Sequence, residues 1–247
     1  MLGYMSYLLR LLLPDRPGAL GAVATALGKA GIDIVSLDVV ERGPNGAVDD
    51  LVVALPQNGL ADTVLTAAQS VPGVRVESVR PYLAGGAGIQ HDLDLVQALT
   101  ARPDEALAIL TEFVGGVFHA DWAVLLERVA PEDLRVVETS VGAPDLGGDE
   151  LAVPERVRST LLWIPLDRAQ RLDRDAGWFP PRWAALGMEL AVAPVGPDRA
   201  VLVGRPGGPR FRASEVQRLA HLADIAATIV RNRSASLTAD GASQGPG

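Results

Sequence analysis

Pro14-Asp15-Arg16-Pro17-Gly18 separates two stretches of opposite periodicity, and this junction constrains the rest of the chain. Before it, Tyr7 to Leu13 is apolar apart from Arg10. After it, Leu20, Val23, Leu27 and Ala30 recur at spacings of three and four. A strand, a turn and an amphipathic helix follow from that change of period. Pro17 has φ pre-set for a first helical turn and no N–H to leave unpaired, so the helix is expected over Pro17 to Ala30. Asp15 can cap the free N–H groups at that end, and Gly31 suits the C′ position at the other. Gly18 presents no side chain where a ligand or a second backbone approaches. The free donors and partial positive charge of a helix start suit a carboxylate.

Further signals continue the pattern. Ile32 to Glu41 and Ala47 to Leu55 read as strands joined by the turn Gly43-Pro44-Asn45-Gly46. Leu60 to Ser70 reads as a short helix and Val74 to Pro81 as a fourth strand. The order βαββαβ predicts an antiparallel sheet with both helices on one face. Asp15-Arg16-Pro17-Gly18 after a strand, then Leu20, Leu27 and Gly31-Ile32-Asp33-Ile34, resembles the ACT domain over roughly residues 6–82. The resemblance implies a ferredoxin-like module that binds an amino acid, usually between two copies. It places Asp15, Arg16, Pro17, Gly18, Ala19, Leu20, Asp33 and Ile34 at the ligand, the carboxylate at the helix start and the ammonium on Asp33. The uncovered sheet face and edges of a lone copy add an expectation of a homodimer. The bland reading is a capped helix and a polar residue at a strand start, serving dimerisation alone.

The 247 residues suit one large or two small domains, and 48% hydrophobic residues supply real cores. A net charge of −8 with no basic run argues against nucleic acid as a partner. The absence of cysteine excludes disulfides, thiolate metal sites and thiol nucleophiles. No apolar run reaches membrane-spanning length. The interrupted N-terminal run reads as a strand rather than a signal peptide, with either Met1 or Met5 as the start. A cytoplasmic location is therefore expected. One lysine, Lys29, beside 21 arginines points to a GC-rich bacterial genome, which says nothing about function.

Residues 83–91, with Gly85-Gly86-Ala87-Gly88, read as a linker; no Gly-Lys-Ser/Thr makes them a phosphate loop. Beyond them, helices are expected over Asp92 to Ala101 and from Pro103, with Leu107, Leu110, Val114 and Val117 on one face. Strands follow over Trp122 to Val129 and Leu134 to Val141. Val153 to Thr160 reads as a short helix and Leu161 to Leu166 as a strand. After the irregular segment Asp167 to Gly187 come a hairpin, Glu189 to Pro194 and Ala200 to Gly204, and a helix from Ser214, its N-cap, to Arg233. Residues 234–247 are small and polar and are expected to be disordered. This order resembles a GAF domain over residues 92–233. The resemblance implies a sensor module, giving an α+β chain in which a ferredoxin-like ACT domain precedes a GAF-like α/β sandwich with a long C-terminal helix. The cyclic-nucleotide signature of such domains is not visible, and without cysteine a bilin photoreceptor is excluded.

Trp163, Trp178, Phe179 and Trp183 crowd 21 positions and are the pocket candidates of the second half, either as a ligand lid or as a core closed beneath a Pro-rich loop. The final helix carries one apolar stripe at Val216, Leu219, Ala223, Ala226 and Val230 and a second at Leu222, Ile225 and Ile229. The second stripe suits either another copy or the helix beginning at Pro103. His91, His119 and His221 sit in no ligand-spaced motif, and no metal or cofactor is expected. Asp49 and Asp50 are adjacent on a strand, so they face opposite sides and form no carboxylate pair. No nucleophile, base and orienter converge in the sequence. The chain therefore reads as a non-catalytic regulatory protein binding an amino acid. The alternatives are a dimeric scaffold docking on a protein target, or an enzyme using the second domain.

Overall fold

Leu9, Leu11 and Leu13 alternate along β1 (Met5–Leu13) and send their side chains into one buried cluster, while Arg10 points to the opposite face. The computed structural model describes residues 5–44, 46–56, 59–82, 89–130, 133–146, 167–175 and 179–243. Two compact units result, Met1–Gln90 and His91–Gly247.

In the first unit β1 is followed by α1 (Ala19–Lys29), β2 (Asp33–Gly43), β3 (Gly46–Leu55), α2 (Ala61–Gln69) and β4 (Arg75–Pro81). The sheet order is β2-β3-β1-β4, with every neighbour antiparallel. Val23 and Leu27 of α1 and Val64 and Ala68 of α2 pack on Leu9, Leu11, Leu51, Val53 and Leu55, so both helices cover one face. The expected βαββαβ unit is thus present. On the other face Arg10 donates to both oxygens of its cross-strand neighbour Asp50, Nε to Oδ1 at 2.6 Å and Nη2 to Oδ2 at 2.7 Å. The strand β2 is an edge, and its Val35, Leu37 and Val39 are exposed. Gly46, at φ 121°, closes the β2–β3 turn; a Cβ there would lie 2.1 Å from the Leu13 carbonyl oxygen, so only glycine fits.

The second unit runs α3 (Ile89–Ala101), a 3₁₀ turn Pro103–Glu105, α4 (Ala106–Val117), β5 (Trp122–Ala130), β6 (Asp133–Thr139), β7 (Gln170–Leu172), α5 (Pro181–Ala185), β8 (Glu189–Pro194), β9 (Arg199–Arg205) and α6 (Ala213–Ser243). Its five described strands pair antiparallel in the order β6-β5-β9-β8-β7. Both faces are covered, which is why β8 and β9 read as continuous apolar runs. Leu125, Ala191, Val201 and Val203 face α3, α4 and α6. Trp122, Leu126, Leu190, Val192 and Leu202 face the segment that carries Leu172, Phe179, Trp183 and Met188. The chain is α+β, and the described elements of the second unit keep the expected order of helices, two strands, a later pair of strands and a closing helix.

Several boundaries differ from the sequence reading. The first helix begins at Ala19, because Gly18 takes the left-handed φ of 83°; Pro17 therefore precedes the helix. The third helix starts at Ile89, inside the stretch expected to be linker. Ser214 lies within the first turn of α6 rather than at its cap. Glu215 instead accepts from the Arg212 N–H at 2.8 Å, the returning half of a capping box. The last helix continues through the segment expected to be disordered, to Ser243. In its second stripe Leu222 is buried and Ile229 packs on the same cluster as Leu110 and Val114 of α4, leaving Ile225 as the partly exposed member. The stripe thus belongs mainly to the unit's own core. The helix and strand expected over 153–166 and the glycines 85–88 lie outside the described residues.

Candidate functional site

The turn Pro14–Gly18 stands at one end of the first sheet with two others. Arg16 Nη2 donates to the Pro72 carbonyl at 3.0 Å, tying it to the turn before β4. Leu13, just before it, is paired with Ala47 beside the β2–β3 turn. Asp15, Arg16, Pro17 and Gly18 are exposed, Ala19 is buried and Leu20 half-buried. No side chain caps α1, so the expected role of Asp15 as a cap is not made. Gly18 is open: a Cβ built there meets nothing within 4 Å. The left-handed backbone, not crowding, is what favours glycine.

Asp33 and Ile34 lie elsewhere. Asp33 pairs with Ala54, which in turn pairs with Ser6 at the start of β1. Asp33 and Gly18 of one chain therefore lie at opposite ends of the sheet. β1 and β2 both pair antiparallel with β3 and so run parallel, and α1 carries the chain back to the end of the sheet where β1 begins; Asp33, at the start of β2, lies there.

An acidic residue that shares the turn's end of the sheet, and lies on its helix-covered face, is Asp49. It stands opposite Leu11 and Val39. It is 3% exposed, and its Oδ1 is buried without a hydrogen-bond partner among the described residues. Burial pushes its carboxyl above the usual range, with Arg42 opposing and Asp50 adding to the shift. Asp50 faces the other side and is held by Arg10, as adjacent strand positions require.

A groove of about 820 Å3 between α1 and α2, open to solvent, is lined by Gly21, Thr25, Lys29, Asp62, Thr66 and Ser70. No buried ionisable group lines it, so the turn with Asp49 is the stronger candidate site.

In the second unit Phe179 and Trp183 are packed into the sheet, Trp183 with its ring centroid 5.6 Å from Trp122 and 6.2 Å from Phe179. Trp163 and Trp178 lie outside the described residues. At the start of β8, Glu189 is buried 3.2 Å from Arg174 and 3.7 Å from Arg210. Burial raises its carboxyl above the usual range, and these arginines offset part of that shift. Sequence spacing did not reveal this cluster, since its members come from three separate segments. Among the described residues no three His, Asp or Glu side chains group closely enough to hold a metal ion. No described helix is long and apolar enough to cross a membrane.

Residues 7–73 match the family model of the ACT domain. The first unit is an ACT domain. ACT domains are small-molecule-binding regulatory modules, which implies such a ligand here. A segment of 128 residues is 30% identical to NAD-dependent malic enzyme 1 of Bacillus subtilis (strain 168), covering 51% of this chain and 28% of that protein. The chain thus spans under a third of that relative's length. Among solved structures, a GAF domain from Pseudomonas syringae pv. tomato aligns with 62% of this chain and 91% of its own, at 14% identity and a TM-score of 0.42. A GAF domain/HD domain protein from Geobacter sulfurreducens aligns with 57% of this chain and 92% of its own, at 16% identity and a TM-score of 0.35.

Proposed function

We propose that the chain is a non-catalytic regulatory protein whose ACT unit binds an amino acid at the Pro14–Gly18 turn, with the ligand carboxylate on the start of α1. The observation that carries this reading is the open, uncapped helix start, with Gly18 exposed and clear of neighbours within an ACT domain. Such a start offers N–H donors and a favourable dipole to an anion. Arg16 is drawn towards the turn before β4, and the Ala19 N–H already donates to the Arg16 carbonyl at 3.3 Å, so the donors for the anion are those that follow Ala19 in the first turn of α1.

Asp33 enters this reading as a residue from a second copy. The free edge of β2 supports that arrangement. Antiparallel pairing of two β2 edges about a two-fold axis brings Asp33 of one copy to the Arg42–Gly43 end of the other, the end that carries the Pro14–Gly18 turn. Exposed Val35, Leu37 and Val39 supply apolar surface for the contact. The protein is then a homodimer. The second unit is read, on its element order, as a GAF-like sensor module, and the protein as cytoplasmic.

A thermal-shift screen of the twenty proteinogenic amino acids tests this. Ligand at ~100 times its dissociation constant stabilises by roughly 2.7 kcal/mol, a readable shift. A flat response to all twenty, with calorimetry equally silent, sinks the reading. It would favour the second one, a dimeric module docked on a protein partner. That alternative is supported by the partial match to a much longer enzyme.

A further inference from the structure

Asp49 is an anomaly unless something meets it. A carboxylate with a buried, unpartnered oxygen is costly in a sheet whose other buried acid, Asp50, is fully engaged by Arg10. Its neighbours along β3 on the same face are Ala47 and Leu51, and across the sheet it meets Leu11 on one side and Val39 on the other. None of these four side chains can donate a hydrogen bond. Leu11 is wholly buried, whereas Val39 is 48% exposed, so the β2 side is where Asp49 lies nearer to solvent. Asp49 stands two positions from the strand pair Leu13 and Ala47, at the same end and on the same face as the start of α1. An open helix start and a buried, unsatisfied carboxylate are thus presented together.

We propose that Asp49 receives the cationic amine of the ligand, so that the site takes a zwitterionic α-amino acid in preference to a simple carboxylic acid. This rests on the reading of the α1 start as the ligand's carboxylate site. The amine supplies the donor that Asp49 lacks, and the helix start supplies what the carboxylate needs. Arg42, on the same face of β2, offsets part of the charge of Asp49 through space. Asp33 of a second copy adds to the site without replacing Asp49, because an ammonium has three donors.

The test uses the full chain. Each proteinogenic amino acid is titrated by calorimetry, and the binder found is compared with its des-amino analogue, the same carboxylic acid without the amine. Wild type should prefer the amino acid by about 10- to 100-fold, the range expected of a charge-assisted hydrogen bond. Asp49→Asn should cut that preference at least ~10-fold while leaving the des-amino acid's affinity unchanged. Asp49→Ser, smaller and also uncharged, makes the same measurement should the amide fail to fit. Full preference retained in both variants overturns the role of Asp49 and leaves the ligand site standing. Absence of any amino-acid binding in wild type overturns both.

Discussion

Asp33 and Gly18 sit at opposite ends of the ACT sheet. From Ser6, the residue in line with Asp33, to Leu13, just before the turn, β1 advances seven residues, or roughly 24 Å. No amino acid spans that distance, so the two residues can share a ligand only across two copies. Gly18→Asp should abolish binding by occupying and repelling the carboxylate. Its cost in stability should be small, about 1 kcal/mol, since aspartate tolerates the left-handed backbone better than most residues. Asp33→Ala should weaken binding ~10- to 100-fold. A mixed dimer of the two variants retains one intact site of two, so calorimetry on a mixture should recover a wild-type affinity that neither variant shows alone. A mixture no better than its components would rule out the shared site.

The ligand-free protein should reveal Asp49 through pH. Its folded carboxyl titrates above the unfolded value because burial penalises the charged form. The folded state therefore holds the proton more tightly than the unfolded chain. The stabilisation this gives is complete below the unfolded value near 4 and is lost as pH rises through the raised folded value. Asp49→Asn removes that loss, so the variant should melt higher than wild type at pH 7, and the gap should close towards pH 4. Glu189 shifts in the same direction but is present in both proteins, and the difference between their melting curves isolates Asp49. A gap independent of pH would contradict the assignment.

In the second unit, Arg205 is buried between β9 and the start of α6. Its Nη2 donates to Glu215 Oε1 at 2.8 Å and to the Phe118 carbonyl, its Nη1 to the Pro209 carbonyl at 2.9 Å, and its guanidinium lies 4.0 Å from the centre of the Phe211 ring. Removing one partner of a buried ion pair leaves a charge that water cannot reach. Glu215→Ala should cost about 3–5 kcal/mol, measured by urea unfolding. Glu215→Gln, which keeps an acceptor for the Arg212 N–H, should cost less.

The turn at Pro14–Gly18 and the order of elements were legible because period changes and Gly/Pro punctuation are local. What depended on partners was not. Asp33 lies far from Gly18 because α1 returns the chain to the other end of the sheet before β2 begins, which follows from the pairing of whole strands rather than from any local motif. Asp49 read as one half of a dismissed carboxylate pair, because the loss of a partner becomes visible only when the neighbouring strands supply Leu11 and Val39. Leu222 and Ile229 looked spare until α4 packed beside α6. The tail beyond Ser234 looked disordered by its small residues, yet Ala235, Leu237 and Ala239 carry helix propensity that α6 propagates to Ser243.

Trp122 and Gly204 give the last prediction. They are partners across β5 and β9, and the indole lies over the glycine so closely that a Cβ there would be 2.1 Å from Cε2 and Cζ2. The indole cannot withdraw freely, because it is 2% exposed and lies against Trp183. Gly204→Ala should therefore cost about 1–3 kcal/mol through overpacking. All four tryptophans belong to the second unit and all three tyrosines to the first, so unfolding followed by selectively excited tryptophan fluorescence reports on the second unit. Its midpoint should fall in Gly204→Ala, while the ACT unit's response to a bound amino acid stays unchanged. Shrinking the indole in the double variant Trp122→Leu, Gly204→Ala should make the alanine nearly free, a coupling of order 1 kcal/mol between contacting residues. Strictly additive costs would mean that the two side chains do not compete for that space.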